Sequence, residues 1–315
     1  MHQIVSAMQD NTHIVFLILP EVHLLDIAGP AQAFLEAKEM GLPIKISYCG
    51  IGKSVQTSAG LAFGTLMHFR KIVLKKGDYL FVPGASVDFL LSDDLIESNQ
   101  LFDWLKNLHA KGVYVCSICT GAFLLAQSGL LNGRKCTTHW KRTDQLKKLY
   151  PLVQVTENIL FTADAGIYTS AGVSAGIDMA LYIIAQLGTD HLAFQVAREL
   201  VVYMRRTGGD PQHSILLQYR NHIHKGIHKV QDYLHEHIDR KNNLDTLADI
   251  ACMSSRSLTR IFKKETGISV KNYMTLIRKE KLQHLEKNPD ISKQEMAVIC
   301  GLKSERQIMR IMSNR

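Results

Sequence analysis

Short apolar runs alternate with helical patterns through residues 13–200, and this alternation limits the possible fold more than any other feature of the chain. His13–Leu19 (HIVFLIL) reads as a strand, Pro30–Met40 as a helix and Ile44–Cys49 as the next strand. Tyr79–Val82 is a strand that ends at the Pro83-Gly84 turn, and Asn99–His109 is an amphipathic helix. Val113–Cys116, Thr120–Ser128, Ile167–Thr169 and Val173–Gln186 continue as strand, helix, strand and helix. Asp190–Tyr203 is expected to cover the sheet or to make a dimer contact. The strands are apolar on consecutive residues. Both of their faces must therefore be buried, which predicts an α/β fold with a parallel sheet sandwiched by helices.

The alternation stops at Thr207-Gly208-Gly209-Asp210-Pro211, a stretch of strong turn signals. From His222 onward every pattern is helical. The expected division is a domain over 12–205, a linker over 206–221 and an all-α domain over 222–315. Charge divides in the same way. Residues 1–210 hold 18 Lys+Arg against 18 Asp+Glu, and residues 211–315 hold 19 against 11, so the whole formal charge of +8 sits in the last third. A neutral body with a basic appendage points to a polyanion partner for the appendage. No run approaches the ~20 apolar residues of a spanning helix, so no membrane role is expected. MHQIVSAMQDNT lacks a signal peptide's apolar core, and the six cysteines have no disulfide-framework spacing, so a cytoplasmic setting is expected.

Leu247–Phe262 (LADIACMSSRSLTRIF) carries the strongest functional pattern. Leu247, Ala248 and Ala251 give a short helix one apolar face, Cys252-Met253-Ser254 makes a turn, and Ser254 or Ser255 can cap the next helix. Leu258, Ile261 and Phe262 face inward there. Arg256, Ser257, Thr259, Arg260 and Lys263 then face outward, as a helix-turn-helix recognition helix requires. The pattern returns at Met296–Leu302 and Ser304–Met312, with Glu305, Arg306, Gln307 and Arg310 outward. Ser269–Glu286 is long enough to hold two such units apart. His222, His224, His228, His235 and His237 do not share one helix face and are expected to be solvated.

The segments LADIACMSSRSLTRIFKKETG, KNYMTLIRKEKL and AVICGLKSERQIMRI resemble the AraC/XylS regulators over residues 222–312. The resemblance implies double-stranded DNA as partner and a homodimer. Val270 stands where that family has Pro, and Lys279 where it prefers Leu. The chain stops at Arg315, short of the family's last segment, so the second unit is expected to grip DNA weakly or to depend on the dimer.

In the first domain, Val113–Cys116 runs through Ser117-Ile118-Cys119-Thr120-Gly121 into a helix. That places Cys119 on a sharp strand-to-helix turn at the ligand-binding edge of a parallel sheet, where a helix N-terminus is expected to lower a thiol pKa. The stretches LDIAGP (25–30), Pro83-Gly84, CTGA (119–122), THW (138–140) and TSAGVSAGID (169–178) resemble the PfpI/ThiJ group, relatives of the class I glutamine amidotransferases. That resemblance implies a flavodoxin-like fold and a pocket made by Asp26, Gly84, Cys119, Thr120 and His139. It also implies a small effector, an amine or amino-acid-like compound.

Cys119, Asp26 and His139 are candidates for vestigial catalytic residues. No His-x-Glu pair follows late in the domain, so amidotransfer is not expected, and the adopted reading is a ligand pocket with no catalysis and no cofactor. Two rivals stand beside it: a cysteine-dependent hydratase or hydrolase, and a redox sensor acting through Cys119. Cys116-x-x-Cys119 has redox-pair spacing. Cys116, Cys119, Cys136 and His139 have zinc-like spacing, but the apolar helix between them belongs in a core, so no metal is expected. Asp178 is expected to start or pack a helix.

Overall fold

The computed structural model describes residues 11–96, 99–202, 206–212, 214–286 and 291–313. Residues 1–10, Tyr203, the expected boundary at residue 205 and Arg315 lie outside them. The chain divides into two compact units, Met1–Gln212 and His213–Arg315.

The first unit is built on a seven-stranded sheet. Its strands are β1 (Thr12–Ile18), β2 (Ile44–Gly50), β3 (Met67–His68), β4 (Tyr79–Val82), β5 (Tyr114–Ile118), β6 (Phe161–Asp164) and β7 (Ile167–Ser170). Their order across the sheet is β6-β7-β5-β4-β1-β2-β3, and every pair is parallel except β6 with β7. The central strands β1 and β4 carry unbroken apolar runs because two layers claim alternate residues. Ile14, Phe16 and Ile18 join Phe81, Cys116 and Ile118 under α1 (Leu24–Glu39), α4 (Ser174–Leu187) and α5 (Asp190–Glu199). Val15 and Leu17 join Leu80, Val82 and Val115 under α2 (Asn99–Ala110) and α3 (Gly121–Gln127).

Two boundaries differ from the sequence reading. Helix α1 starts at Leu24 and runs through Pro30. Gly29-Pro30 is locally a helix breaker, but burial of Asp26 and Ile27 and a bond from the His23 N–H to the Gly84 carbonyl (2.7 Å) fix the first turn. Strand β5 runs on to Ile118, paired with Ser170 of β7. Helix α5 buries Ala193, Val196 and Ala197 against the sheet layer and leaves Phe194 exposed.

The second unit is helical: α6 (Lys225–Glu236), α7 (Leu244–Ile250), α8 (Ser255–Thr266), α9 (Val270–Leu285), α10 (Lys293–Ile299) and α11 (Glu305–Ser313). It has two small cores. Ile227, Val230, Leu234, Leu247, Leu258 and Phe262 form the first, and Met296, Ala297, Cys300, Ile308 and Ile311 the second. Helix α9 serves both, giving Val270, Tyr273 and Ile277 to one and Leu282 and Leu285 to the other. Side-chain caps mark the helix starts: Asn243 for α7, Ser254 for α8, Ser269 for α9, and a Ser292–Glu295 capping box for α10. Among the described residues no helix is long and apolar enough to cross a membrane.

The stretch expected as a linker is hydrogen-bonded throughout its described part. Arg206 binds Asp178 and Ser174, the Gly208 carbonyl accepts from Leu160 and Phe161, and Gln212 binds Thr138 and Trp140, all in the first unit. Further along the same stretch, the Ile215 N–H donates to Glu280, and Arg220 forms a two-pronged ion pair with Asp232, both in the second unit.

Candidate functional site

Two surfaces carry the chemistry-bearing residues, one in each unit. In the first, strand β5 ends at Ile118 and helix α3 begins at Gly121, so the chain reverses within Cys119 and Thr120. Cys119 takes a left-handed backbone conformation, φ 56°, as a residue forced onto such a turn must. Its N–H donates to the Ser170 carbonyl (2.9 Å), and its carbonyl accepts from the Thr138 hydroxyl (2.8 Å). Thr120 bridges to the β4 side, donating to the Ala85 carbonyl and accepting from the Ala85 N–H.

Two glycines allow this crowding. A Cβ on Gly84 would come within 2.5 Å of Asp26 Oδ2 and 2.8 Å of Cys119 Cβ, and one on Gly172 within 2.2 Å of Cys119 Cβ. Next to Gly172, Val173 also has a positive φ, 52°, an outlying conformation for a β-branched residue. The strained Val173 is held by the bond from its N–H to Asp26 Oδ1 (2.7 Å).

Asp26 is fully buried, and its second oxygen, Oδ2, accepts no hydrogen bond from the described residues. His23 Nδ1 lies 3.4 Å from it. The nearest ligating atoms of His23, Asp26 and Cys119 all fall within 4.8 Å of one another. The helix N-terminus was expected to lower the thiol pKa, but the thiol is pushed well up, first by burial and then by the Asp26 charge. Hydrogen bonds with Thr120 act in the opposite sense and do not offset those two effects.

The structure therefore gathers Asp26, Gly84, Cys119 and Thr120. His139 has other neighbours: its Nδ1 accepts from the Lys141 N–H (3.3 Å) and its ring stacks on Trp140. His23 is the residue that sequence reasoning missed. The available signal was its place three residues before Asp26, on the same side of the first turn of α1. Cys116 and Cys136, drawn into the zinc-like spacing, pack in opposite core layers. Asp178 is buried in α4 and paired with Arg206 (2.5 Å); burial raises its pKa and Arg206 opposes the rise. A separate concavity, lined by Thr12, Met40–Pro43, Leu187–Thr189 and Leu192, lies at the opposite end of the strands from Cys119.

The second surface is helix α8. Arg256, Thr259, Arg260 and Lys263 are exposed at positions i, i+3, i+4 and i+7, and together with Lys264 they line one shallow groove. Ser257 is half-buried and its hydroxyl accepts from Ser254, so the cap occupies it. The Thr259 hydroxyl bonds back to the Ser255 carbonyl. On α11, Arg306 and Arg310 are exposed, while Gln307 Oε1 accepts from the Lys303 N–H (2.7 Å). The histidines expected to be solvated each have a partner: His224 caps α6, His228 bonds the His222 carbonyl, His237 bonds the Tyr233 carbonyl, and His235 bonds the Tyr273 hydroxyl (3.0 Å).

Residues 12–186 match the DJ-1/PfpI family, and residues 234–275 match the AraC family of bacterial regulatory helix-turn-helix proteins. Over 231 residues the chain is 32% identical to the HTH-type transcriptional regulator CdhR of Pseudomonas aeruginosa, an alignment that takes in 73% of this chain and 67% of that protein. Isonitrile hydratase of Pseudomonas putida is 31% identical over 176 residues, 55% of this chain and 70% of the hydratase. Among solved structures, a ThiJ/PfpI family protein from Pseudomonas syringae shares the fold with a TM-score of 0.54 and 24% identity, over 69% of this chain and 87% of that one. The chain spans about half to two thirds of the length of the curated regulators it matches.

Proposed function

The chain belongs to the DJ-1/PfpI family and carries an AraC-family helix-turn-helix segment, and from that premise we propose that it is a DNA-binding transcription regulator controlled by a small metabolite. The observation that carries this reading is the exposed face of α8. Two arginines suited to paired contacts with guanine stand beside lysines suited to phosphates, on a helix whose opposite face is locked into a core by Leu258 and Phe262. In this reading residues 12–205 sense the effector and dimerise, residues 222–315 bind DNA, and the protein works in the cytoplasm. The effector, an amine or amino-acid-like compound, binds beside Asp26, Gly84, Cys119, Thr120 and His139. The second unit's Arg306 and Arg310 enter a neighbouring stretch of major groove, about one helical turn away.

The hydrogen-bonded segment 206–212 supports control by the effector. Thr138 holds the Cys119 carbonyl and also receives Gln212; Val173 holds Asp26, and its neighbour Ser174 receives Arg206. A ligand that shifts either flank of Cys119 displaces the segment through which the chain leaves the first unit. Such a shift matters only as far as the ligand binds one arrangement better than the other.

The likeness to isonitrile hydratase favours one second reading, hydration chemistry at Cys119. Against it, a buried thiol beside a carboxylate is a poor nucleophile. Binding and turnover assays on the same preparations separate the two. Arg256→Ala and Arg260→Ala are each expected to weaken binding to the cognate site by ~1–3 kcal/mol. Cys119→Ser is expected to keep DNA binding, and the wild-type chain to leave isonitriles unchanged. Turnover that disappears in Cys119→Ser, together with DNA binding indifferent to both arginines, contradicts the regulator reading.

A further inference from the structure

We infer that His23, Asp26 and Cys119 form a binding site for one divalent, thiophilic metal ion such as zinc. The donor set is the first reason. An imidazole nitrogen, a carboxylate oxygen and a sulfur lie within 4.8 Å of one another at the end of the sheet. Tetrahedral zinc, with bonds of about 2.0–2.3 Å, needs its ligands roughly 3.5 Å apart. Closing that difference requires a movement of about 1 Å, and His23 is placed to make it: its side chain is 37% exposed and makes no capping bond to α1.

The second reason is the state of Asp26. One oxygen is satisfied by Val173, while the buried Oδ2 makes no well-formed hydrogen bond among the described residues and meets only the His23 imidazole at 3.4 Å and the neighbouring Cys119 thiol. A buried carboxylate oxygen with only these loose partners is incompletely compensated, and a cation held between the three groups completes the compensation.

Charge balance selects a divalent ion. Binding displaces the thiol proton to solvent and forms the metal–sulfur bond, leaving a thiolate, a carboxylate and a neutral imidazole around a 2+ ion. The cluster is then neutral, as a site with two buried members requires. Three protein donors leave a fourth position for water or for a ligand's own donor atom.

The test uses the full-length protein and cobalt(II) as a spectroscopic stand-in for zinc. Titration is expected to give one equivalent per chain, a thiolate-to-cobalt charge-transfer absorption and release of one proton per ion in weak buffer. Cys119→Ser is expected to remove the absorption. His23→Ala, at a half-exposed position, is expected to leave thermal unfolding unchanged and to weaken binding by at least about tenfold. An absorption that survives Cys119→Ser, as the exposed Cys252 could produce, overturns the proposal; so does cobalt binding unaltered by His23→Ala. DNA binding measured on the same samples keeps this outcome separate from that of the regulator reading.

Discussion

The closest packing around Cys119 falls on two neighbouring residues with opposite requirements. Gly172 has φ +90° and has no room for a Cβ, because Cys119 Cβ would lie 2.2 Å away. Gly172→Ala is therefore expected to cost more than ~2 kcal/mol, read as a lower urea midpoint. Val173 is strained at φ 52° and is 43% exposed, so Val173→Gly gives up only part of a side chain's packing. It is expected to raise stability by about 1 kcal/mol, the strain relieved less the added chain entropy. A lower midpoint for Val173→Gly would mean that the turn is not strained. At this scale the site was half legible. Cys119, Asp26 and Gly84 could be placed from a strand-to-helix turn and a resemblance. His23 was signalled only by its spacing from Asp26 and was missed, because its nearness to Cys119 depends on α1 beginning six residues before Pro30. The thiol's raised pKa was hidden for another reason: a helix N-terminus is visible in sequence, whereas the depth of burial that outweighs it is not.

At the scale of elements, the strands and both helix-turn-helix units follow from local pattern, since each element's apolar residues already show its period. Partners across elements are less visible. His235 looked like one of five solvated histidines, yet the Tyr273 hydroxyl 38 residues away receives it. Burial holds its pKa below the ordinary value; Asp232 opposes that shift and Arg220 adds to it. The unfolded chain then takes up a proton near pH 6.5 that the folded unit refuses. Stability of the helical unit is accordingly complete above that pH and falls as the pH drops toward the depressed folded value. Urea titrations at about pH 7.5 and 5.5 are expected to show that fall, and His235→Gln to flatten it in part, since His222 is shifted in the same direction. A pH-independent midpoint in the wild type would contradict a buried neutral His235.

For the whole molecule, the central claim is that a sensing unit governs a basic helical unit, and segment 206–212 is the place to interrupt that control. Arg206→Ala combined with Gln212→Ala removes the bonds to Asp178, Ser174, Thr138 and Trp140 while leaving α8 untouched. The double variant is expected to bind DNA as the wild type does without effector and to lose the effector's influence; an unchanged response would move the coupling elsewhere. Composition had already indicated the division of labour, because the whole net charge of +8 falls after residue 210. The order within 206–221 was not visible, since a Gly-Gly and Asp-Pro stretch reads the same whether or not distant side chains fasten it. The most direct test of the claim is genome-wide footprinting of the bound protein beside Arg260→Ala. Discrete protected sites are expected, each with paired major-groove segments about one helical turn apart, which Arg260→Ala weakens or loses. Protection spread evenly over unrelated sequences, governed by salt alone and equal in the variant, would contradict it.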